Sequence, residues 1–465
     1  MKYFVSRSAA WLLPALAAVI LVLIFQPSSK FSSFKKPSKI EEEENIPLRD
    51  RMDLAMEQEF ELTKDLALNE VPRQRLVKAI KYIKSQQKCS INGRIAGAIP
   101  GINWVERGPS NCGGRTRAIM VDPNDPTKKT VWSAGVGGGL WKTNDITQSS
   151  PSWTAVNDLF SNMAISSICY NPANTQVFYF GTGEGYYNAD AMRGLGIWQS
   201  TDGGVTWVQL PSTNNANFYY VNRVVVRPNG EVYATTRTGL YRSQNAGVNW
   251  TCVLDFTVTG GAPVNDFSDV EIAADNSIWA STLGGNGGVY RSTTGNAGSW
   301  TKLNTGANGF PTSGFFRIDI ACAPSNALVC YAFVEGSSSL LNLYRTADGG
   351  ATWTTLAKPA DADGGIPAAD FTRSQAWYDM SMAVDPNNDA TVFVGGVDLF
   401  KSTNAGVSWQ QIAHWYGGFG FQDVHADQHI ALFEPGNSNV IYFGNDGGIW
   451  RSSNATAAIP TISSK

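Results

Sequence analysis

Three stretches of this chain gather side chains that could grip or cut a polar ligand. Residues 182–194 carry Glu184, Tyr186, Tyr187, Asp190 and Arg193; residues 369–379 carry Arg373, Trp377, Tyr378 and Asp379; residues 414–423 carry Trp415, Tyr416, Phe419 and Phe421. Asp427 and Asp446 follow close behind. Glu184, Asp190, Asp379, Asp427 and Asp446 are thus five carboxylates of the type that glycosidic-bond cleavage requires. One carboxyl protonates the leaving oxygen and a second activates water or attacks, the two standing about 5 to 10 Å apart across a cleft. Tyr186, Tyr187, Trp377, Tyr378, Trp415 and Tyr416 supply flat faces for a sugar ring or a protein surface, with Arg193 as a charged neighbour, and are read as binding residues.

All three histidines, His414, His425 and His429, lie near the same region. In the run HADQH, His425, Asp427 and His429 fall at i, i+2 and i+4, which on a strand would point all three to one side. Imidazole with carboxylate is a donor set for a divalent transition ion. The competing expectation, favoured here, is a satisfied polar network with residues such as Asp379, Arg115 or Arg117, since no fourth ligand or supporting group can be named. No cofactor is expected. Six cysteines are sparse for 465 residues. Cys322 and Cys330 flank one turn and could face each other across a hairpin, as a disulfide or as buried thiols; Cys89 with Cys112 is a looser pairing.

The elements that must carry these residues are betrayed by a repeat. Seven times a short apolar run and a turn lead into an aromatic-rich run, and then into the steps GLWK, GIWQ, GLYR, GVYR, NLYR, DLFK and GIWR, beginning at Gly139, Gly196, Gly239, Gly288, Asn342, Asp398 and Gly448. Most steps enter a turn such as STDGGVTW (Ser200 to Trp207), TADGGATW (Thr346 to Trp353), SQNAGVNW or STNAGVSW. An Asp or Asn opening a tight turn accepts backbone N–H groups just ahead, Gly tolerates positive φ, and Trp packs beneath. Self-similarity at roughly 50 residues is what radially arranged four-stranded units produce. The expected fold is all-β, a seven-bladed β-propeller over residues 100–465. Because residues 457–465 contain no Trp, the stretch 102–105 is expected to serve as the last blade's fourth strand and close the ring.

These turns resemble the Asp-box, or bacterial neuraminidase repeat, of sialidases, xyloglucanases, sortilin-type receptors and photosystem assembly factors. MEQEFELTKD before Val71-Pro72, together with QAWYDMSMAVDP, HADQH and GNDGGIWRS, is similar to secreted Bacteroidota proteins exported by the type IX system, often labelled glycosyl hydrolase or sortilin-like. The resemblance implies the fold more strongly than any reaction. A sialidase needs three arginines on one carboxylate, and none can be assigned. The acidic residue of the xyloglucanase step falls on Val136 in the first blade; at the similar step of the seventh, Asn445 stands in that place with Asp446 beside it.

Lys2 and Arg7 before an apolar stretch read residues 1–30 as a signal peptide or signal anchor. Residues 31–99 read as a charged helical spacer, with Met52, Met56 and Phe60 on one helical stripe and Leu76, Ile80 and Ile83 on another. A formal net charge of −3 gives no electrostatic footprint for nucleic acid. The expected location is secreted or cell surface, with membrane contact only through an uncleaved N-terminal segment. The leading expectation is a module that binds a polysaccharide or a cell-surface protein. The alternative is a glycoside hydrolase with two carboxylates on the propeller rim.

Overall fold

In a computed structural model, the described residues are 52–72, a few positions between 75 and 85, and 114–465 apart from 158–159, 189–190, 256–265, 285–286 and 368. The chain divides into two compact units, Met1–Pro72 and Arg73–Lys465. The described part of the first contains a twelve-residue helix, Met52–Thr63, where a helix was expected. The apolar stretch read as a signal and most of the second expected helix lie outside the described residues.

The second unit is a seven-bladed β-propeller. Each blade is a sheet of four consecutive antiparallel strands, from Thr116–Val121, Val131–Gly135, Gly139–Thr143 and Thr154–Ala155 in the first to Gln428–Phe433, Ile441–Asn445, Gly448–Ser452 and Ile462–Ser464 in the seventh. The first strand of every blade packs on the first strand of the next, and Gln428–Phe433 packs back on Thr116–Val121, so the ring is closed. A sheet standing between two neighbours must be apolar on both faces. Thr116–Val121 is accordingly buried along its whole length. The cores lie between blades: Met120 and Trp132 of the first blade cluster with Ile165, Phe178 and Phe180 of the second.

The turns between third and fourth strands are local hydrogen-bonded cages. Asp202 accepts the Thr206 backbone N–H at 2.8 Å, while the Ser200 hydroxyl accepts that of Gly204 at 2.8 Å. The carboxylate therefore reaches four residues ahead, further than expected from an ordinary tight turn. Asp348 and Asn404 repeat the pattern with Thr352 and Ser408. Gly203 and Gly204 occupy the left-handed region (φ 67° and 86°), and Trp207 wedges against Trp132 of the preceding blade at 6.4 Å. In the first six blades the fourth strand starts just after its Trp, as Val208–Gln209 does after Trp207.

Two expectations about strands change. The fourth position of the last blade is filled by Ile462–Ser464, paired with Gly448–Ser452; residues 102–105 lie outside the described residues. No Trp is needed there, because Ile462 fills the core and its N–H donates to Gln422 Oε1 at 2.8 Å. The sixth blade gains a fifth strand, Gln422–Asp423, parallel to Gln410–His414. Cys322 and Cys330 stand directly opposite in register on Ile318–Cys322 and Cys330–Gly336, their Sγ atoms 3.8 Å apart, as two free thiols.

Candidate functional site

The three long segments leave the ring on connections other than the caged turns. Residues 182–194 join the second and third strands of the second blade, 369–379 lead into the sixth, and 414–423 lead from the sixth toward the seventh. Ring closure then sets Arg115 and Arg117, at the start of the first blade, against Glu184 of the second, Tyr378 before the sixth and Asp446 of the seventh.

Glu184 is fully buried and clamped. It accepts from Arg115 Nη1 at 2.7 Å, Arg117 Nε at 2.6 Å and Asn188 Nδ2 at 2.8 Å. A carboxylate so held is placed as a structural counter-ion to two guanidinium groups. Arg117 also lies over Tyr186 and Tyr378, at 4.8 and 5.3 Å to the ring centroids, and Arg317 lies 4.1 Å from the Tyr186 centroid. Arg317 is spent on Asp319 (2.6 Å) and on the Tyr378 carbonyl (3.0 Å). Three arginines that the sequence could not assign do converge on this region, and Glu184 accepts from two of them while Arg317 is paired with Asp319.

Asp446 is different. Its side chain keeps about a quarter of its surface, 26%. It accepts from the Tyr378 hydroxyl at 2.8 Å and pairs with His429 Nε2 at 2.7 Å, with Arg115 Nε at 3.6 Å. Burial pushes its pKa up, yet the His429 and Tyr378 hydrogen bonds and the Arg115 charge outweigh burial and bring it below the usual carboxylate value. His429 is driven down to about 3 by burial and then by the Arg117 charge, against the pull of Asp446. A neutral imidazole bonded to a carboxylate carries its proton on the bonded nitrogen, here Nε2.

Asp427 moves the other way. It is half-buried in a left-handed turn (φ 64°), and burial followed by the Asp446 charge raises its carboxyl. Asp379 is raised well above the normal range by burial and then by Asp427; it is fully enclosed, and among the described residues neither oxygen has a hydrogen-bond partner. Asp190 lies outside the described residues. Of the four described candidates, only Asp427 and Asp446 combine a partly exposed side chain with opposed shifts, the pattern of an acid beside an ionised partner.

The metal reading of His425, Asp427 and His429 fails on backbone geometry. The strand begins at Gln428, and the left-handed turn at Asp427 breaks the alternation that would have aligned the three. His425 is exposed while His429 is taken by Asp446. Among the described residues the one cluster of ligand-type atoms is Asp361, Asp398 and His414, which the sequence did not suggest. Its centre holds a cation already: Arg373 Nη2 lies 2.8 Å from Asp361, 2.9 Å from Asp398 and 3.4 Å from His414 Nε2.

The aromatic residues divide. Tyr378 is buried, donates to Asp446 and has its ring covered by Arg115 and Arg117, and Tyr186 contacts the Arg117 and Arg317 guanidinium groups. Trp415, Tyr416 and Phe419 are exposed by 42%, 50% and 55%, and Tyr416 meets Trp415 edge-on at 4.7 Å. Tyr187 is exposed with Arg237 3.7 Å above its ring, and Arg193 stacks 3.5 Å over Tyr219. The roles of Arg237 and Tyr219 carry no local sequence signal, because ring stacking joins different loops.

No protein-family model matches the chain. Among curated proteins it is similar to a xyloglucanase of Hypocrea jecorina, 25% identical over 328 residues that cover 64% of this chain and 32% of that protein. A xyloglucanase of a Paenibacillus species is 25% identical over 286 residues, covering 51% and 26% respectively. The chain thus spans about a third or less of the length of these relatives. Among solved structures, a GH74 enzyme of Niastella koreensis superposes with TM-score 0.53 at 20% identity, over 76% of this chain and 54% of that one. YCF48 from Cyanidioschyzon merolae gives TM-score 0.51 at 15% identity, over 75% of this chain and 97% of that one. These superpositions speak to the propeller fold.

Proposed function

We propose that this propeller is a glycoside hydrolase acting on a polysaccharide of the xyloglucan kind. The observation that supports it most is the Asp427 and Asp446 pair, one carboxyl raised and one lowered at a solvent-reachable junction between the seventh and first blades. Similarity to two xyloglucanases points the same way and moves the balance from binding to cleavage. In this reading Asp427 protonates the departing glycosidic oxygen. Asp446, kept ionised by His429 and Tyr378, activates water or attacks the anomeric carbon. Trp415 and Tyr416 form a flank on which sugar rings stack.

A second reading keeps the same surface without cleavage: a secreted or cell-surface module that holds a polysaccharide or a cell-surface protein on Trp415, Tyr416 and Phe419. Their exposure as a contiguous aromatic group favours it. Incubation of the purified chain with xyloglucan and a panel of other polysaccharides, scored for both retention and released reducing ends, separates the two. Release supports the hydrolase, and retention without release supports the binding module. With neither, the polysaccharide assignment falls.

A further inference from the structure

Oxidation chemistry is the feature the proposed site leaves unused. In the fifth blade the hairpin of Ile318–Cys322 and Cys330–Gly336 pairs Ile318 with Val334, Ile320 with Ala332 and Cys322 with Cys330. Glu335 N–H donates to the Arg317 carbonyl at 2.8 Å and Ala323 N–H to the Val329 carbonyl at 2.9 Å. Residues 317 and 335, and 323 and 329, are thus hydrogen-bonded pairs, and strict alternation along an antiparallel ladder makes Cys322 and Cys330 a non-hydrogen-bonded pair. That position brings side chains closest, with Cα atoms about 4.5 Å apart, inside the range of roughly 4.4 to 6.8 Å that a disulfide spans. The sulfurs already touch at 3.8 Å. Cys330 is fully buried and Cys322 half-buried, so the pair sits at the edge of the blade core.

We infer that Cys322 and Cys330 form an oxidation site that closes to a cross-strand disulfide when the chain folds in the presence of a disulfide oxidant. The Cys322 thiolate attacks one sulfur of glutathione disulfide and releases one glutathione. The Cys330 thiolate then attacks the Cys322 sulfur of the mixed disulfide and releases the second. The protein dithiol loses two protons and two electrons, and one glutathione disulfide becomes two glutathiones. Only side-chain rotation is required, since the register is already in place. Burial holds the folded Cys322 thiol far above its ordinary pKa, with the Cys330 contact adding to it, so reaction belongs to folding and is slow afterwards. The other described cysteines, Cys169 and Cys252, sit in the second and third blades.

The full chain is refolded with glutathione disulfide, denatured and alkylated without reductant, and its peptides are weighed. The expected result is that Cys322 and Cys330 escape alkylation and appear in one linked peptide. Full alkylation of both, or linkage of either to another cysteine, would overturn the inference. Because Cys322→Ser would remove the bond and the thiol together, melting is followed as well. The refolded wild type should melt about 2 °C or more higher before than after dithiothreitol, and C322S should show no difference. A wild type unchanged by dithiothreitol contradicts the inference.

Discussion

At the scale of single residues, the site depends on which carboxyl keeps its proton. His429 and Tyr378 lower Asp446 through hydrogen bonds to its charged form. Replacing His429 with Phe removes one donor, so the acid limb of the rate–pH profile should move to higher pH, by about one unit. Tyr378→Phe should move it the same way by less. A profile unmoved in both variants would separate Asp446 from the reaction. Asp398 makes a prediction about stability. Burial, then its hydrogen bond to Asp361, raises its carboxyl from the ordinary 3.8 to about 8, with Arg373 opposing. Between those values the folded chain holds a proton that the unfolded chain has released, so this group's contribution to stability falls as pH rises through the window. The slope is at most about 1.4 kcal/mol per pH unit. Melting temperature measured from pH 4 to 8 should decline less steeply in Asp398→Asn than in the wild type.

At the scale of elements, the caged turn was readable and the last strand was not. Ser200, Asp202, Gly204 and Trp207 carry their structural roles in their types, so the turn showed in sequence wherever they recur. Ile462–Ser464 lacks the Trp marker and takes its place through Gln422 and the core around Ile462, contacts that are distant in sequence. Gly204 offers the sharper test of the turn. A Cβ there would meet Trp132 Cη2 at 2.4 Å, and the backbone is left-handed at φ 86°. Gly204→Ala should cost about 2 to 4 kcal/mol by chemical denaturation, whereas Gly137→Ala, with open space around its Cβ, should cost under about 1. Equal losses in the two variants would deny that the Trp wedge between blades demands glycine.

For the whole molecule, ring closure turns remote residues into one site. Arg117 and Glu184 are 67 positions apart, and Arg117 with Tyr378 261. No local pattern could have announced that Glu184 is a clamped counter-ion, and so it stood in sequence as a candidate equal to Asp446. The seven blades were legible because each repeats the same local chemistry; the opposed shifts of Asp427 and Asp446 were not, since burial and the contacts of His429, Tyr378 and Arg115 decide them. Arg117→Met leaves a buried carboxylate short of a partner and should destabilise the ring by about 3 to 5 kcal/mol in denaturant titration. Adding Glu184→Gln should restore much of that loss, and an additive double variant would contradict the coupling. The most direct test of the proposed chemistry is the rate of reducing-end release from xyloglucan by wild type and Asp446→Asn, with binding to the same polysaccharide measured alongside. The expected result is release by the wild type and a fall of about a thousandfold in the variant at unchanged binding; a variant as fast as the wild type, or a wild type that releases nothing, would contradict it.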